Sequence, residues 1–137
     1  MFKKGTQIST INVLLVDDKK ENLFALEKLL EDDQNEDLSF IQCTSGNEAL
    51  RVALNNEIAL ILLDVQMPGI DGYEVARIMR SEQPLYRRLV LVALTGRTSQ
   101  EDIERACGCG FDLHLSKPVA LGALNHLIAS LLELNRA

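Results

Sequence analysis

Asp17 and Asp18, Asp64, Thr95 and Lys117 are the residues of this sequence whose types and setting suit them to chemistry. The four sites each stand at, or shortly after, the end of a short run of branched apolar residues. Three carboxylates drawn close together raise one another's pKa values and need a counter-charge. A hard divalent cation supplies it, since magnesium takes oxygen ligands from one or two carboxylates and keeps several waters. A lysine ammonium on the other side adds a fixed positive charge. Such a set is suited to neutralising a phosphoryl group and its in-line transition state. A carboxylate within it can act as nucleophile and hold the group covalently. Taken singly, each residue has a plainer use as a helix cap, a turn former or a surface lysine. Their joint placement at strand ends makes the set specific.

The elements that must position them follow from hydrophobic periodicity. Residues 11–16, 38–43, 58–63, 89–94 and 111–115 read as strands, short and mostly apolar. Between them, helical spacing recurs. Asp18 with Glu21, Ser45 with Glu48, Asp71 with Glu74 and Thr98 with Glu101 predict four helix starts of the capping-box type. Leu23, Leu26 and Leu30 form the apolar face of the first helix, and Ala49, Leu50 and Ala53 that of the second. Val75, Ile78 and Met79 face inward from the third, Ile103 and Ala106 from the fourth. Gly108 and Gly110 are expected to end the fourth helix. From Ala120 onward, Leu121, Leu124, Ile128 and Leu131 stripe the fifth. Five strands buried on both faces and alternating with five helices require an α/β fold with a parallel sheet and helices on both sides. In such a sheet, ligands sit beyond the carboxyl ends of the strands, where the residues named above lie.

Bulk properties narrow the field. The chain has 137 residues, 47% hydrophobic and 25% charged, which fits one folded domain. A net charge of −6 argues against nucleic acid and for cations or basic partners. The apolar runs are too short to span a bilayer, and residues 1–9 lack the apolar run of a signal peptide. Cys43, Cys107 and Cys109 cannot all pair within one chain, so a reducing, cytoplasmic setting is expected. Cys107-Gly108-Cys109 lacks a second ligand pair at zinc-like spacing. The expected organisation is a leader or linker at 1–10, one domain at 11–134 and a tail at 135–137.

Four motifs occur in order: Val16-Asp17-Asp18, the stretch from Leu63-Asp64 through Val65-Gln66-Met67-Pro68-Gly69-Ile70 to Asp71-Gly72, Ala93-Leu94-Thr95-Gly96, and Ser116-Lys117-Pro118. With them the chain resembles the receiver domain of response regulators in two-component and phosphorelay systems, from about Ile11 to the final helix. The resemblance implies a flavodoxin-like fold with strand order 2-1-3-4-5. It implies that Asp64 accepts phosphate from a histidine kinase or a histidine phosphotransfer domain, with magnesium or manganese as cofactor. Asp18, Asp64 and the Gln66 backbone carbonyl would hold the ion, and Asp17 would act through water. Lys117 would pair with one phosphoryl oxygen and Thr95 would move to bond another. Pro118 would follow a cis peptide bond.

A downstream partner would read the surface from the fourth helix through the fifth strand to the last helix. The family usually has Tyr or Phe three positions before the lysine, and here His114 stands there, either as a face-lining residue or as the switch itself. Gln66 and Arg97 flank the place where the family tunes phosphate lifetime. Such a domain catalyses its own aspartyl phosphorylation and dephosphorylation and is not otherwise an enzyme. Dimerisation through the last two helices is left open.

Two other readings compete with this one. A haloacid-dehalogenase-like phosphohydrolase expects a second Asp two residues after the nucleophile, where Gln66 stands, and a cap domain. A receiver-like interaction module that takes no phosphate usually lacks one of the acids, the Thr or the Lys, all of which are present.

Overall fold

Ile11–Val16 forms β1 of a five-stranded sheet, because its branched side chains, interrupted only by the half-buried Asn12, can be buried on both faces at once. The computed structural model describes residues 11–31, 38–67, 69, 71–81, 89–96 and 100–136. The expected leader, Pro68, Arg97 and the Thr98 cap lie outside them.

After β1 come α1 (Lys20–Leu30), β2 (Leu38–Cys43), α2 (Gly46–Asn55), β3 (Leu60–Asp64) and α3 (Gly72–Ser81). Then follow β4 (Val90–Thr95), α4 (Gln100–Cys109), β5 (Leu113–Ser116) and α5 (Leu121–Arg136). The strands pair in parallel in the order β2-β1-β3-β4-β5. This is the expected flavodoxin-like arrangement.

Alternation along each strand divides the core in two. Leu14, Val16, Ile61, Leu63, Leu91 and Ala93 pack with Ala49 and Ala53 of α2, Val75, Ala76 and Met79 of α3, and Ala106 of α4. Val13, Leu15, Leu60, Leu62, Val92 and Leu94 pack with Leu23, Leu26 and Leu30 of α1 and Leu124 and Ile128 of α5. Burying each such Leu, Ile or Val contributes about 1.5–3 kcal/mol. Ile78 and Ile103 are half-buried flanks of their helices, not core.

Several boundaries differ from the sequence reading. β3 begins at Leu60 and takes in Asp64, and β4 likewise takes in Thr95. Ladder pairing of Asp64 with Leu94, and of Thr95 with Ser116, carries regular structure beyond the apolar run. β5 starts at Leu113, because Phe111 is used to close α4. There the Phe111 amide donates to the Ala106 carbonyl and the Gly110 amide to that of Cys107, with Gly110 at φ 105°. Gly110 thus ends the helix, and Gly108 lies within it.

Ser45 and Asp71 cap as expected, each accepting from an amide three residues on (Ser45 Oγ from Glu48, 3.1 Å; Asp71 Oδ1 from Glu74, 3.0 Å). Asp18 does not. The N-cap of α1 is Lys19, with no side-chain cap, and the local turn is closed by the Lys19 amide donating to Asp17 Oδ1. Asp18 is thereby left for other work.

Candidate functional site

Asp17, Asp64 and Thr95 are the buried polar residues among the described ones, in a core otherwise apolar. Each occupies the carboxyl end of a strand, so the sheet itself carries them to one edge. Asp17 continues β1, its amide donating to the Cys43 carbonyl at 3.1 Å. Its carboxylate is held on both oxygens. Oδ1 accepts from the Lys19 amide at 2.9 Å, and Oδ2 from Asn22 Nδ2 at 3.1 Å and Lys117 Nζ at 3.4 Å.

Asp64 closes β3. Its Oδ1 accepts from the Gln66 amide at 2.9 Å, and its Oδ2 lies 3.2 Å from Lys117 Nζ. The following chain passes directly over Gly72, where an added Cβ would come within 2.6 Å of the Asp64 carbonyl oxygen. Lys117 is brought in from β5, its amide donating to the Thr95 carbonyl at 2.9 Å. The Lys117–Pro118 bond is cis.

The acids of three sequence positions therefore meet. Asp17, Asp18 and Asp64 each offer an oxygen, all within 4.8 Å of one another. One ammonium, Lys117, spans the buried pair. Three carboxylates less one ammonium leave a formal excess of two negative charges. Burial pushes the Asp64 carboxyl above its ordinary value, and the charge of Asp17 adds to this. The Gln66 amide and Lys117 pull the other way without cancelling it.

This donor set fits a small hard cation. Oxygens around magnesium lie at most about 4.2 Å apart, given bonds of about 2.1 Å, so the spread of these acids needs only a small contraction or a bridging water.

Beside the acids, a cavity of about 320 Å³ runs between the β3–α3 connection and α4, with Gln66, Tyr73, Thr95 and Arg105 in its walls. Arg105 stacks over the Tyr73 ring at 4.0 Å, and Tyr73 meets Phe111 edge-on at 6.3 Å between centroids. His114 sits half-buried on β5 opposite Ala93.

Every sequence-derived acid, Thr95 and Lys117 thus converge on one sheet edge. Gln66 is beside them through its amide, and His114 is on the neighbouring strand. Two contributors escaped the sequence reading. Asn22 could have been suspected from its place on the first turn of a helix whose N-terminus meets an acid pair. Gly72 appeared within a motif, but its close approach to Asp64 has no signature in residue spacing.

The profile of the response regulator receiver domain matches residues 13–129. The chain is 31% identical over 123 residues to the polar-differentiation response regulator DivK of Brucella ovis, covering 90% of this chain and 97% of that protein. It also matches much longer proteins, spanning 4% of the length of a hybrid signal transduction histidine kinase of Dictyostelium discoideum and 14% of that of an autoinducer sensor kinase/phosphatase of Vibrio campbellii. Among solved structures it resembles the receiver domain of a sensor histidine kinase of Pseudomonas aeruginosa, which has a magnesium ion coordinated in its active-site cleft. That likeness has a TM-score of 0.78 and 27% identity, over 91% of this chain and 99% of the other. It also resembles the receiver domain of a Saccharomyces cerevisiae response regulator crystallised with a histidine phosphotransfer protein, at TM-score 0.73 and 30% identity, over 88% and 87% of the two chains. No helix among the described residues is long and apolar enough to cross a membrane. With the sheet order, the acid cluster and its lysine in place, the chain belongs to the response regulator receiver domain family of two-component signal transduction.

Proposed function

We propose that this domain accepts a phosphoryl group on Asp64 from a phosphohistidine donor, in a magnesium-dependent reaction, and signals through the resulting change of shape. The observation that carries the reading is the bridging of Asp64 and Asp17 by Lys117 at 3.2 and 3.4 Å, with Asp18 in the same cluster. An Asp64 oxygen attacks phosphorus, the bond from phosphorus to the donor imidazole nitrogen breaks, and its electron pair stays with the imidazole. Asp18, Asp64 and the Gln66 carbonyl would hold magnesium or manganese, and Asp17 would hold it through water. When bound, the cation neutralises charge on the acids and on the incoming group.

Lys117 meets one phosphoryl oxygen and Thr95 another. The phosphoryl group carries about −1.5 to −2 charge and three strong acceptor oxygens in place of the single charge of the carboxylate. Hydrogen bonds to charged groups contribute about 1.5–3 kcal/mol each. Two or three of them reach the roughly 5.5 kcal/mol that turns a mostly inactive population into a mostly active one. The responding surface is α4, β5 with His114, and α5, where a downstream protein or a second copy docks. Residues 11–134 form the functional unit, and its chemistry is confined to its own phosphorylation and dephosphorylation.

Incubation with phosphoramidate and magnesium tests the reading. A mass increase of one phosphoryl group, absent in Asp64→Asn, supports it. Many turnovers of a small phosphomonoester would instead indicate a hydrolase, and no reaction an inert interaction module.

A further inference from the structure

Asp17 is 4% exposed, and a carboxylate so buried needs its hydrogen bonds. Its Oδ2 is shared between Asn22 Nδ2 at 3.1 Å and Lys117 Nζ at 3.4 Å. The same ammonium lies 3.2 Å from Asp64. If Lys117 is to meet a phosphoryl oxygen arriving at Asp64, it must loosen its hold on Asp17. The remaining donors then decide how readily it leaves. Lys19 contributes a main-chain amide to the other oxygen, Oδ1. Among the described contacts, Asn22 is the side chain besides Lys117 that donates to Oδ2.

From this we infer that Asn22 is a positioning residue for the phosphoryl-accepting reaction, acting through Asp17: it keeps Oδ2 hydrogen-bonded while Lys117 turns to the incoming phosphoryl group. The inference rests on the function proposed above. A neutral amide suits the task. An ammonium or guanidinium at residue 22 would hold Asp17 as well but would compete with a cation for the same acids. The rest of the Asn22 side chain is solvent-exposed, so water can replace part of what it does. The expected effect is therefore moderate, roughly three- to tenfold in rate.

The test uses the full chain with phosphoramidate, magnesium varied, and phosphorylation followed by mass spectrometry. Asn22→Leu keeps the branching and the number of side-chain heavy atoms and removes the donor. It should lower the maximal rate at saturating magnesium at least threefold, while half-saturating magnesium stays within about twofold. Asn22→Gln, which keeps an amide, should recover at least half of the lost rate. In an Asp17→Asn background, Asn22→Leu should cost less than twofold more, because the residue through which it acts is already altered. The inference is overturned by a smaller loss in Asn22→Leu, by a loss confined to the magnesium half-saturation, by no recovery in Asn22→Gln, or by an undiminished loss in the Asp17→Asn background. If the parent takes no phosphate, or Asp64→Asn takes it equally well, the underlying function fails first. Normal phosphorylation of the parent with an unaffected Asn22→Leu sinks the role of Asn22 alone.

Discussion

Gly72, the first residue of α3, lies against the main chain of Asp64: a Cβ built on it would come 2.6 Å from the Asp64 carbonyl oxygen and 2.7 Å from Val65 Cα. Both are backbone atoms, so the chain carrying Asp64 would have to move. Gly72→Ala is expected to cost about 1–3 kcal/mol in urea unfolding and to slow phosphorylation with it. Gly108, inside α4, has nothing within 4 Å of an added Cβ. Gly108→Ala should stabilise by up to about 1 kcal/mol and leave the rate unchanged.

Asp64 titrates above the ordinary carboxylate range because it is buried. Between its ordinary and its raised pKa, the folded protein holds a proton that the unfolded chain has lost. Stability in the absence of magnesium therefore falls as pH rises through the raised value. Asp64→Asn removes this effect. Calorimetry in chelator at pH 7 should show a higher midpoint for Asp64→Asn, with the gap closing as pH falls below the ordinary value. A lower midpoint at pH 7 would contradict the assignment.

Lys117 opposes a cation at the acids and favours an anion at Asp64. The two effects can be separated. Lys117→Met should bind magnesium more tightly in isothermal titration, having lost a competing charge, yet take phosphate at least about tenfold more slowly. Equal losses in both measurements would point to a disordered site instead.

How far the site was legible depends on where each residue gets its position. Asp64, Thr95 and Lys117 take theirs from strands whose apolar runs mark them in sequence, and the sheet order then brings them together. The spacing of Asp18 to Glu21 satisfies the capping rule, yet Lys19 is the N-cap. The Asp17 carboxylate and the Lys19 amide close the turn instead, a local competition that spacing alone cannot decide. β3, β4 and β5 lie one or two residues off the reading, since ladder pairing, and not hydrophobicity, sets strand ends. Asn22 and Gly72 depend on contacts between elements and have no periodic signal.

Arg80 ties the last turn of α3 to the chain just before β4 and β5. Its Nε donates to the Gly110 carbonyl at 2.8 Å, Nη1 to Leu89 at 3.4 Å, and Nη2 to Asp112 Oδ2 at 2.7 Å. Asp112 Oδ2 also accepts from the Leu91 amide at 2.9 Å. Arg80→Met keeps the apolar stem and loses the donors, which should cost about 1–3 kcal/mol in urea unfolding. Arg80→Lys should recover little of it, because an ammonium cannot reproduce the fork.

Cys43 and Cys107 should differ in reactivity. Burial, helped by Glu48 and partly opposed by Arg51, pushes the Cys43 thiol up to about 11, whereas Cys107 is exposed. At pH 8, iodoacetamide followed by peptide mapping should find Cys107 modified and Cys43 intact until the protein is unfolded. The unfolded thiol ionises from 9.0, so stability should also decline as pH rises from there through about 11.

The bond from Lys117 to Asp17 joins residues 100 positions apart. A ribosome that has released the first four strands has made every acid of the cluster but not the lysine that balances them. Until the chain after β5 emerges, the acid cluster lacks its balancing ammonium, and the phosphoryl-accepting site proposed above is incomplete. On the proposed function, competence waits for the edge strand to dock, and any lesion that loosens that strand should silence the domain before it unfolds the rest.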